Sequence, residues 1–558
     1  MNQHLEQMQQ TKRVIAVSIL CMVVLLWYNT GNEHSVKQDL EKKSIQKTEE
    51  NLSNLEKNIT AKPKFETREE AVKVMQNENH IVNFENSDIA GFVNLNGAKI
   101  ENLVLKNHKA DGDKSQNIAL LSPSSAREYY YIDFGWMAQN GTGSTPNSNS
   151  TWTKKTGSAD KFSLYTKIRE HEFYIDFVLS EKYLWKVSMR SSGKFAESFK
   201  PYIRIKRSME GKKSATSYSH EGISFVKNGV LDEVKYSNIS NTVSNEMDYG
   251  WVGFADKYWF AGVISKDDGF KKTVTYRKSE NCSECYQIDI IKSGDDGDFN
   301  VMLYTGAKEL GEITKYEKDY NIKLFDRVID FGWFYFLTKP LLSFIKILYN
   351  LSGNFGVAII LLTIIIRIAL FPLANKSYKS MAKLKTVAPQ LNELKERCKN
   401  DKKAFNMAVI ELYKREKVNP AAGCLPLLLQ IPVFFALYKV LIVSIEMRDA
   451  PFIGWLLDLS EPDPTSIFNA FGLLPYSVPS FLQIGILPII MGITMHLQQK
   501  LSPAPSDPNQ ARVMKLLPFI FTFLFAGFPS GLVLYWSVNN TLSILQQYYV
   551  TKKSTQAK

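Results

Sequence analysis

The chain has five cysteines in 558 residues, too few for a disulfide framework. Cys21 and Cys424 lie in apolar runs and Cys398 in a charged stretch; only Cys282 and Cys285 are close together. That lone Cys-x-x-Cys is either a local disulfide or a pair of free thiols. No second pair completes a zinc site, and no helix–strand context supports thioredoxin chemistry. The seven histidines are scattered. Gly-x-Ser-x-Gly, His-Glu-x-x-His and a glycine-rich phosphate loop are all missing, which argues against a hydrolase, a zinc protease or a nucleotide-driven machine. No enzyme activity and no cofactor are expected. The apolar runs carry no paired opposite charges and no internal repeat, so a transporter is disfavoured. A carbohydrate-active or carbohydrate-binding module in the polar half stays open, because its many carboxylates form no discernible site in the sequence.

What is present divides the chain in two. The net charge is +12, from 68 basic and 56 acidic residues. Between Thr30 and Phe325 the count is 42 basic and 42 acidic, so the remaining 26 basic and 14 acidic residues carry the whole excess. That excess sits beside apolar runs, the pattern of a membrane protein with positive cytoplasmic loops. The mean hydropathy of −0.18 averages two unlike regions.

The expected organisation follows from run length and loop charge. Residues 1–29 read as an uncleaved signal anchor, because no small-x-small site follows Trp27. Residues 30–64 form a polar linker. Residues 65–325 hold short alternating stretches separated by Gly, Asn, Asp and Ser clusters. This predicts a large all-β sandwich, with a flexible loop over 140–150. Residues 326–350 are aromatic and leucine-rich but charged, and predict an amphipathic helix lying in the membrane interface. Spans are expected at 351–373, 421–447, 478–499, 513–528 and 531–549. The fourth of these is short and contains Lys515 and Pro518. The loop 374–420 carries 12 basic and 5 acidic residues; it predicts a cytoplasmic helical hairpin divided at Pro389. The 448–477 loop is slightly acidic, whereas the 500–512 turn and the 550–558 tail are basic. Six spans with both ends cytoplasmic and the β domain outside fit these signs, in a bacterial inner membrane.

Arg367 is the sharpest signal. It lies in Ile364-Ile365-Ile366-Arg367-Ile368-Ala369-Leu370-Phe371, about 13 Å along a helix from Lys376. A cation at that depth costs at least ~2.5–3.5 kcal/mol. Two readings are open: snorkelling to the cytoplasmic interface, or a wet cavity lined by Thr363, Gln430, Ser537, Asn539 and Asn540. Interhelical hydrogen bonding could account for those polar residues by itself. No Asp, Glu or His pairs with the arginine in sequence, which argues against a proton relay. The basic hairpin is likewise open to two readings, an orientation anchor or a docking surface.

Several stretches carry a resemblance. They are Arg367-Ile-Ala-Leu-Phe-Pro-Leu with Ser380-Met-Ala-Lys383, Tyr413-Lys-Arg-Glu-Lys-Val-Asn-Pro420, and Gly423-Cys-Leu-Pro-Leu-Leu-Leu-Gln430-Ile-Pro-Val-Phe-Phe-Ala-Leu-Tyr438. The fourth is Phe528-Pro-Ser-Gly-Leu-Val-Leu-Tyr535. Together, and in this order, they resemble the YidC/Oxa/Alb family of membrane protein insertases over about 325–549. The anchor and large β domain resemble its Gram-negative form. The resemblance implies a five-helix insertase core, a periplasmic β-super-sandwich, and a hydrophilic groove open to cytoplasm and lipid. It implies that Arg367, Thr363, Gln430, Tyr535 and Trp536 line the groove, beside Asn539. It implies insertion, folding and assembly of nascent membrane proteins in the phospholipid bilayer, alone or with the Sec translocon and its accessory subunits. Ribosome or targeting factors would dock on the hairpin and basic tail. Lys439 departs from the expected apolar-aromatic run and is expected to snorkel outward.

Overall fold

The computed structural model describes residues 64–556, apart from residues 79, 111–113, 139–143, 194–198, 212–218, 267–268, 270, 280–281, 283, 294–297, 399–400, 417, 420–424, 475, 477, 480–481 and 503–507. The expected anchor span and all but the last residue of the linker fall outside the described residues, as does part of the 140–150 loop.

Two antiparallel sheets make up the β region. The first runs in the order Ile81–Glu85, Ile89–Asn94, Lys99–Lys109, Tyr130–Ala138, Phe199–Ser208, Cys285–Ser293, Lys271–Lys278 and Val243–Met247, with Asn117–Leu121 beside Lys99–Lys109. The second runs Val230–Lys235, Gly222–Lys227, Gly250–Ala255, Trp259–Ser265, Phe299–Ala307, Leu184–Ser192, His171–Leu179, Lys161–Ile168 and Thr153–Gly157. The period-2 pattern explains the layering. In His171–Leu179, Phe173, Ile175, Phe177 and Leu179 are buried while the residues between them are half-exposed, because successive side chains leave opposite faces of a strand. The two inner faces meet through aromatic pairs. Phe84 of the first sheet stands edge-on to Trp185 of the second at 4.6 Å, and Phe134 to Phe177 at 5.2 Å. Outside the core, the buried Asp289 takes a 2.5 Å hydrogen bond from Arg204 Nε on the paired strand. Cys282 and Cys285 are disulfide-bonded, which resolves the Cys-x-x-Cys in favour of a local bridge.

Helices α1 (Arg68–Asn77) and α2 (Leu310–Asp319) flank the sandwich. Glu309, at the start of α2, gathers Lys182 Nζ at 2.9 Å and Tyr183 Oη at 2.7 Å, with His108 Nε2 at 3.6 Å. Burial alone would raise this carboxyl, but hydrogen bonds from His108, Tyr183 and Lys182 outweigh it and hold it at about 2. A depressed carboxylate adds stability above its unfolded pKa and loses it as the pH falls through the folded value. The wild-type melting temperature should therefore drop more steeply than that of Glu309→Gln between the ordinary carboxylate range and pH ~2. Tryptophan-fluorescence melts of the full chain in detergent check this; parallel curves would rule it out.

The helical region follows. Helix α3 (Tyr335–Ser352) buries Leu341, Leu342, Ile345 and Leu348 and leaves Phe336 and Ile347 exposed, which suits an interfacial helix packed on one side. Then come α4 (Phe355–Arg397), α5 (Lys402–Arg415), α6 (Leu425–Val443), α7 (Ile486–Leu501), α8 (Pro508–Phe525) and α9 (Ser530–Gln556). Among the described residues, α4 is the one helix both long and apolar enough to cross a membrane; residues 430–443 of α6 are apolar but shorter.

Three expectations are corrected here. Pro389 does not divide the cytoplasmic hairpin, because α4 is a single helix of 43 residues running through Pro372 and Pro389. A proline forfeits one intrahelical hydrogen bond, and α4 accommodates both within a helix ~65 Å long. Helix α4 ends at Arg397 instead, and Asp401 Oδ1 caps α5 by accepting from Lys403 N and Ala404 N. Val387, Leu412 and Val418 then pack together with Leu384, Leu391 and Leu394. Among the described residues of the expected span 478–499, helix begins at Ile486. There Asp463 and Thr465 from the preceding loop accept Leu487 N and Ile486 N at 2.8 and 3.0 Å, and a carboxylate at a helix start is favourable. Lys439 does not snorkel outward; its Nζ lies 2.9 Å from Asp330 Oδ2, which neutralises it locally.

Candidate functional site

Arg367 sits on α4 one turn beyond Thr363. Helix formation here needs no special pleading, since the stretch is a run of large aliphatics opened by an Asn354 cap on Val357 N. The half-buried guanidinium is held against α9. Its Nε donates to Asn539 Oδ1 at 2.7 Å, and its Nη2 donates to Asn539 O at 3.1 Å and to Ser543 Oγ. Asn539 and Ser543 are one turn apart on α9, so the ligand face comes from helical spacing alone. No carboxylate pairs with Arg367 among the described residues. Helices α6 to α9 contain no acidic residue at all, and those of α4, Glu393 and Glu396, lie in its last turns. Hydrogen bonds to a charged group contribute ~1.5–3 kcal/mol each, enough to offset the insertion cost while leaving the positive charge uncancelled.

The other expected residues divide around this point. Gln430 on α6 stands beside the Tyr535 hydroxyl, which lies in the field of Arg367. Its Nε2 is buried without a hydrogen-bond partner. Tyr535 itself is fully buried. Thr363 is also buried, and its hydroxyl donates back to Ile359 O at 2.7 Å. Trp536 turns away into an aromatic cluster, edge-on to Phe434 at 5.1 Å and 5.4 Å from Phe525. Phe434 is one turn from Gln430 on α6, so a polar pair and an aromatic pair lie side by side across α6 and α9.

A second polar seam continues down α9. Asn540 Nδ2 reaches Thr494 Oγ1 on α7 at 3.4 Å, and Gln547 Nε2 donates to Leu501 O at 3.0 Å. Sequence reading missed Ser543 and Thr494. The i, i+4 spacing from Asn539 was the available signal for Ser543; nothing in the sequence announced Thr494. Ser537 is not part of the arginine cluster, because its hydroxyl donates to Val533 O. Chemically, the cluster offers one uncancelled cation, amide and hydroxyl groups, and an aromatic wall. It can hold an anionic or polar segment, and it contains no nucleophile–base pair.

The chain matches known proteins over most of its length. Residues 81–344 match the family model described as the YidC periplasmic domain, and residues 347–557 match the 60Kd inner membrane protein family. The membrane protein insertase YidC of Brucella suis is 43% identical over 491 residues, covering 85% of this chain and 80% of that protein. Its counterpart in Rickettsia massiliae is 42% identical over 499 residues, covering 86% and 89%. A crystal structure of an active YidC insertase covers 84% of this chain and 93% of its own at 19% identity, with a TM-score of 0.38. With sequence identity of this extent across both the β domain and the helical region, the chain belongs to the YidC family of membrane protein insertases, inner-membrane proteins with a periplasmic domain.

Proposed function

We propose that this chain inserts other membrane proteins by receiving their polar flanks at the Arg367 cluster while their apolar segments slide into lipid along α4 and α9. The observation that carries this is the uncancelled guanidinium held by Asn539 and Ser543, with no acidic residue in α6 to α9 and none in α4 before its last turns. A substrate helix must cross a layer about 30 Å thick, and its polar flank needs solvation on the way. A hydrophilic groove open to the cytoplasm and to lipid shortens the fully apolar part of that path. Arg367 holds an acidic segment transiently, Gln430 and Tyr535 offer amide and hydroxyl groups, and Thr363 and Trp536 border the apolar wall. Burial of some 20 apolar residues supplies the driving force, so this step requires neither nucleotide nor metal.

The topology in this reading has six spans, with both termini cytoplasmic and the β domain periplasmic. Charge supports it, because the loop between α4 and α6 and the C-terminal tail are basic. The same basic surfaces, α5 with the end of α4 and the tail, are where ribosome or targeting factors would dock. Cooperation with the Sec translocon belongs to the same proposal.

The test is protease protection of a short membrane protein with an acidic translocated tail. It uses Sec-free proteoliposomes containing only this protein, with empty liposomes as control. Protection above control is expected. Protection equal to control, with the protein folded, would overturn autonomous insertion and leave a Sec-dependent helper.

A further inference from the structure

One stretch of the helical region, residues 439–449, holds the β-sandwich domain at three points. The first is Lys439 on α6, whose Nζ meets Asp330 Oδ2 at 2.9 Å. Asp330 also accepts His220 N at 2.9 Å through Oδ2 and Gly332 N at 3.0 Å through Oδ1. One carboxylate thus ties together a loop of the sandwich, the connecting segment and a membrane helix. Gly332 has a positive φ of 67°, and a Cβ there would stand 2.9 Å from Lys439 Cε, so the glycine makes room for the lysine stem.

The second point is Glu446, just beyond α6. Its Oε1 accepts Lys346 Nζ at 2.7 Å and Leu310 N at 3.2 Å, and its Oε2 accepts Ser444 Oγ at 2.7 Å. Leu310 is the first residue of α2, whose preceding residue, Glu309, supplies no side-chain cap. The membrane region therefore provides the carboxylate at the start of a periplasmic helix, where the orphan N–H groups favour it. The third point is Arg448, whose Nη2 donates to Lys109 O at 2.7 Å and whose guanidinium lies 5.6 Å from the Trp259 ring. The adjacent Asp449 pairs with Lys114.

We propose that this clamp sets the rotation of α6 and thereby aims Gln430 into the groove, making Lys439, Asp330 and Glu446 positioning residues for insertion. Lys439 follows Gln430 by nine residues, which at ~100° per residue places the two on opposite faces of the helix. A tether on the outer face fixes what the inner face presents. Pro432 lies between them and removes one backbone hydrogen bond, so α6 needs such an external constraint more than an uninterrupted helix would. The periplasmic domain is then a fixed strut for the third span of the six-span reading. The inference rests on the proposal that Gln430 acts in the groove.

The experiment uses the full chain in proteoliposomes with two readouts. The first is the labelling rate of the thiol in Gln430→Cys by a water-soluble maleimide, in a background with Cys21, Cys398 and Cys424 changed to Ser. It does not depend on insertion. The second is protease protection of the acidic-tailed substrate with Gln430 intact. Lys439→Met is expected to change the labelling rate severalfold and to lower insertion severalfold, and Lys439→Arg to restore both. Glu446→Gln should act in the same direction and serves if Lys439→Met does not fold. Labelling unchanged in folded Lys439→Met or Glu446→Gln would overturn the clamp. Changed labelling with undiminished insertion would uphold the clamp's hold on α6 and overturn the groove role of Gln430.

Discussion

Arg367→Ala should lower insertion of substrates with acidic translocated tails by about tenfold or more, and that of neutral-tailed substrates far less. The magnitude follows from removing a charge-assisted contact worth ~1.5–3 kcal/mol to the substrate. The asymmetry follows from the site's charge, since α6 to α9 hold no acidic residue to compete for the guanidinium. Two further variants sharpen the result. Arg367→Lys keeps the charge but loses the planar fork that spans Asn539 and Ser543, so it should fall between wild type and alanine. Asn539→Leu removes the 2.7 Å acceptor of Nε and leaves only the backbone oxygen and Ser543; it should impair acidic-tailed substrates while α9 stays folded. Protease protection of paired acidic and neutral substrates measures all three. Equal insertion of both classes by Arg367→Ala and wild type would remove the electrostatic role.

Trp185→Ala should destabilise the β domain by ~3–5 kcal/mol, a typical cost for truncating a buried large aromatic. Trp185 is fully buried, edge-on to Phe84 of the opposite sheet at 4.6 Å and 6.4 Å from Phe177. Its Nε1 donates to Thr305 Oγ1 at 2.9 Å. The substitution opens a cavity between the sheets and strands a buried hydroxyl, so two penalties act together. Thermal unfolding followed by near-UV circular dichroism of the full chain in detergent tests it. A melting temperature within a degree or two of wild type would show that the sandwich does not depend on this inter-sheet contact.

Much of the molecule was legible because two periodicities are hard to mistake. Alternation in stretches such as Glu172–Leu179 can only be satisfied by strands with one dry face. Apolar runs broken by single polar residues mark helices in lipid. Arg367 stood out from energy alone, as a cation where a cation is expensive. Its partners were harder to see. Asn539 was visible as a polar residue in an apolar run, but Ser543 resembled any small helical residue until α4 and α9 were placed against each other. Lys439 misled for a related reason. In sequence it is a stray charge in an apolar run, and its counter-charge lies 109 positions earlier at Asp330. Pro389 misled in the opposite direction, since a local breaker was overridden by a helix long enough to absorb it.

The sequence by itself determined the division into a charge-balanced β half and a basic, apolar helical half, and the one cation, Arg367, set inside a long aliphatic run. These depend on local composition and period, which a chain carries wherever it folds. Only the tertiary structure decided which groups meet: Asn539 and Ser543 at Arg367, Gln430 beside Tyr535, Trp536 against Phe434, Asp330 at Lys439, and Glu446 at Lys346 and Leu310. Such pairings join residues 100 or more positions apart. They depend on how helices rotate and which ends are tied, and no local pattern records either.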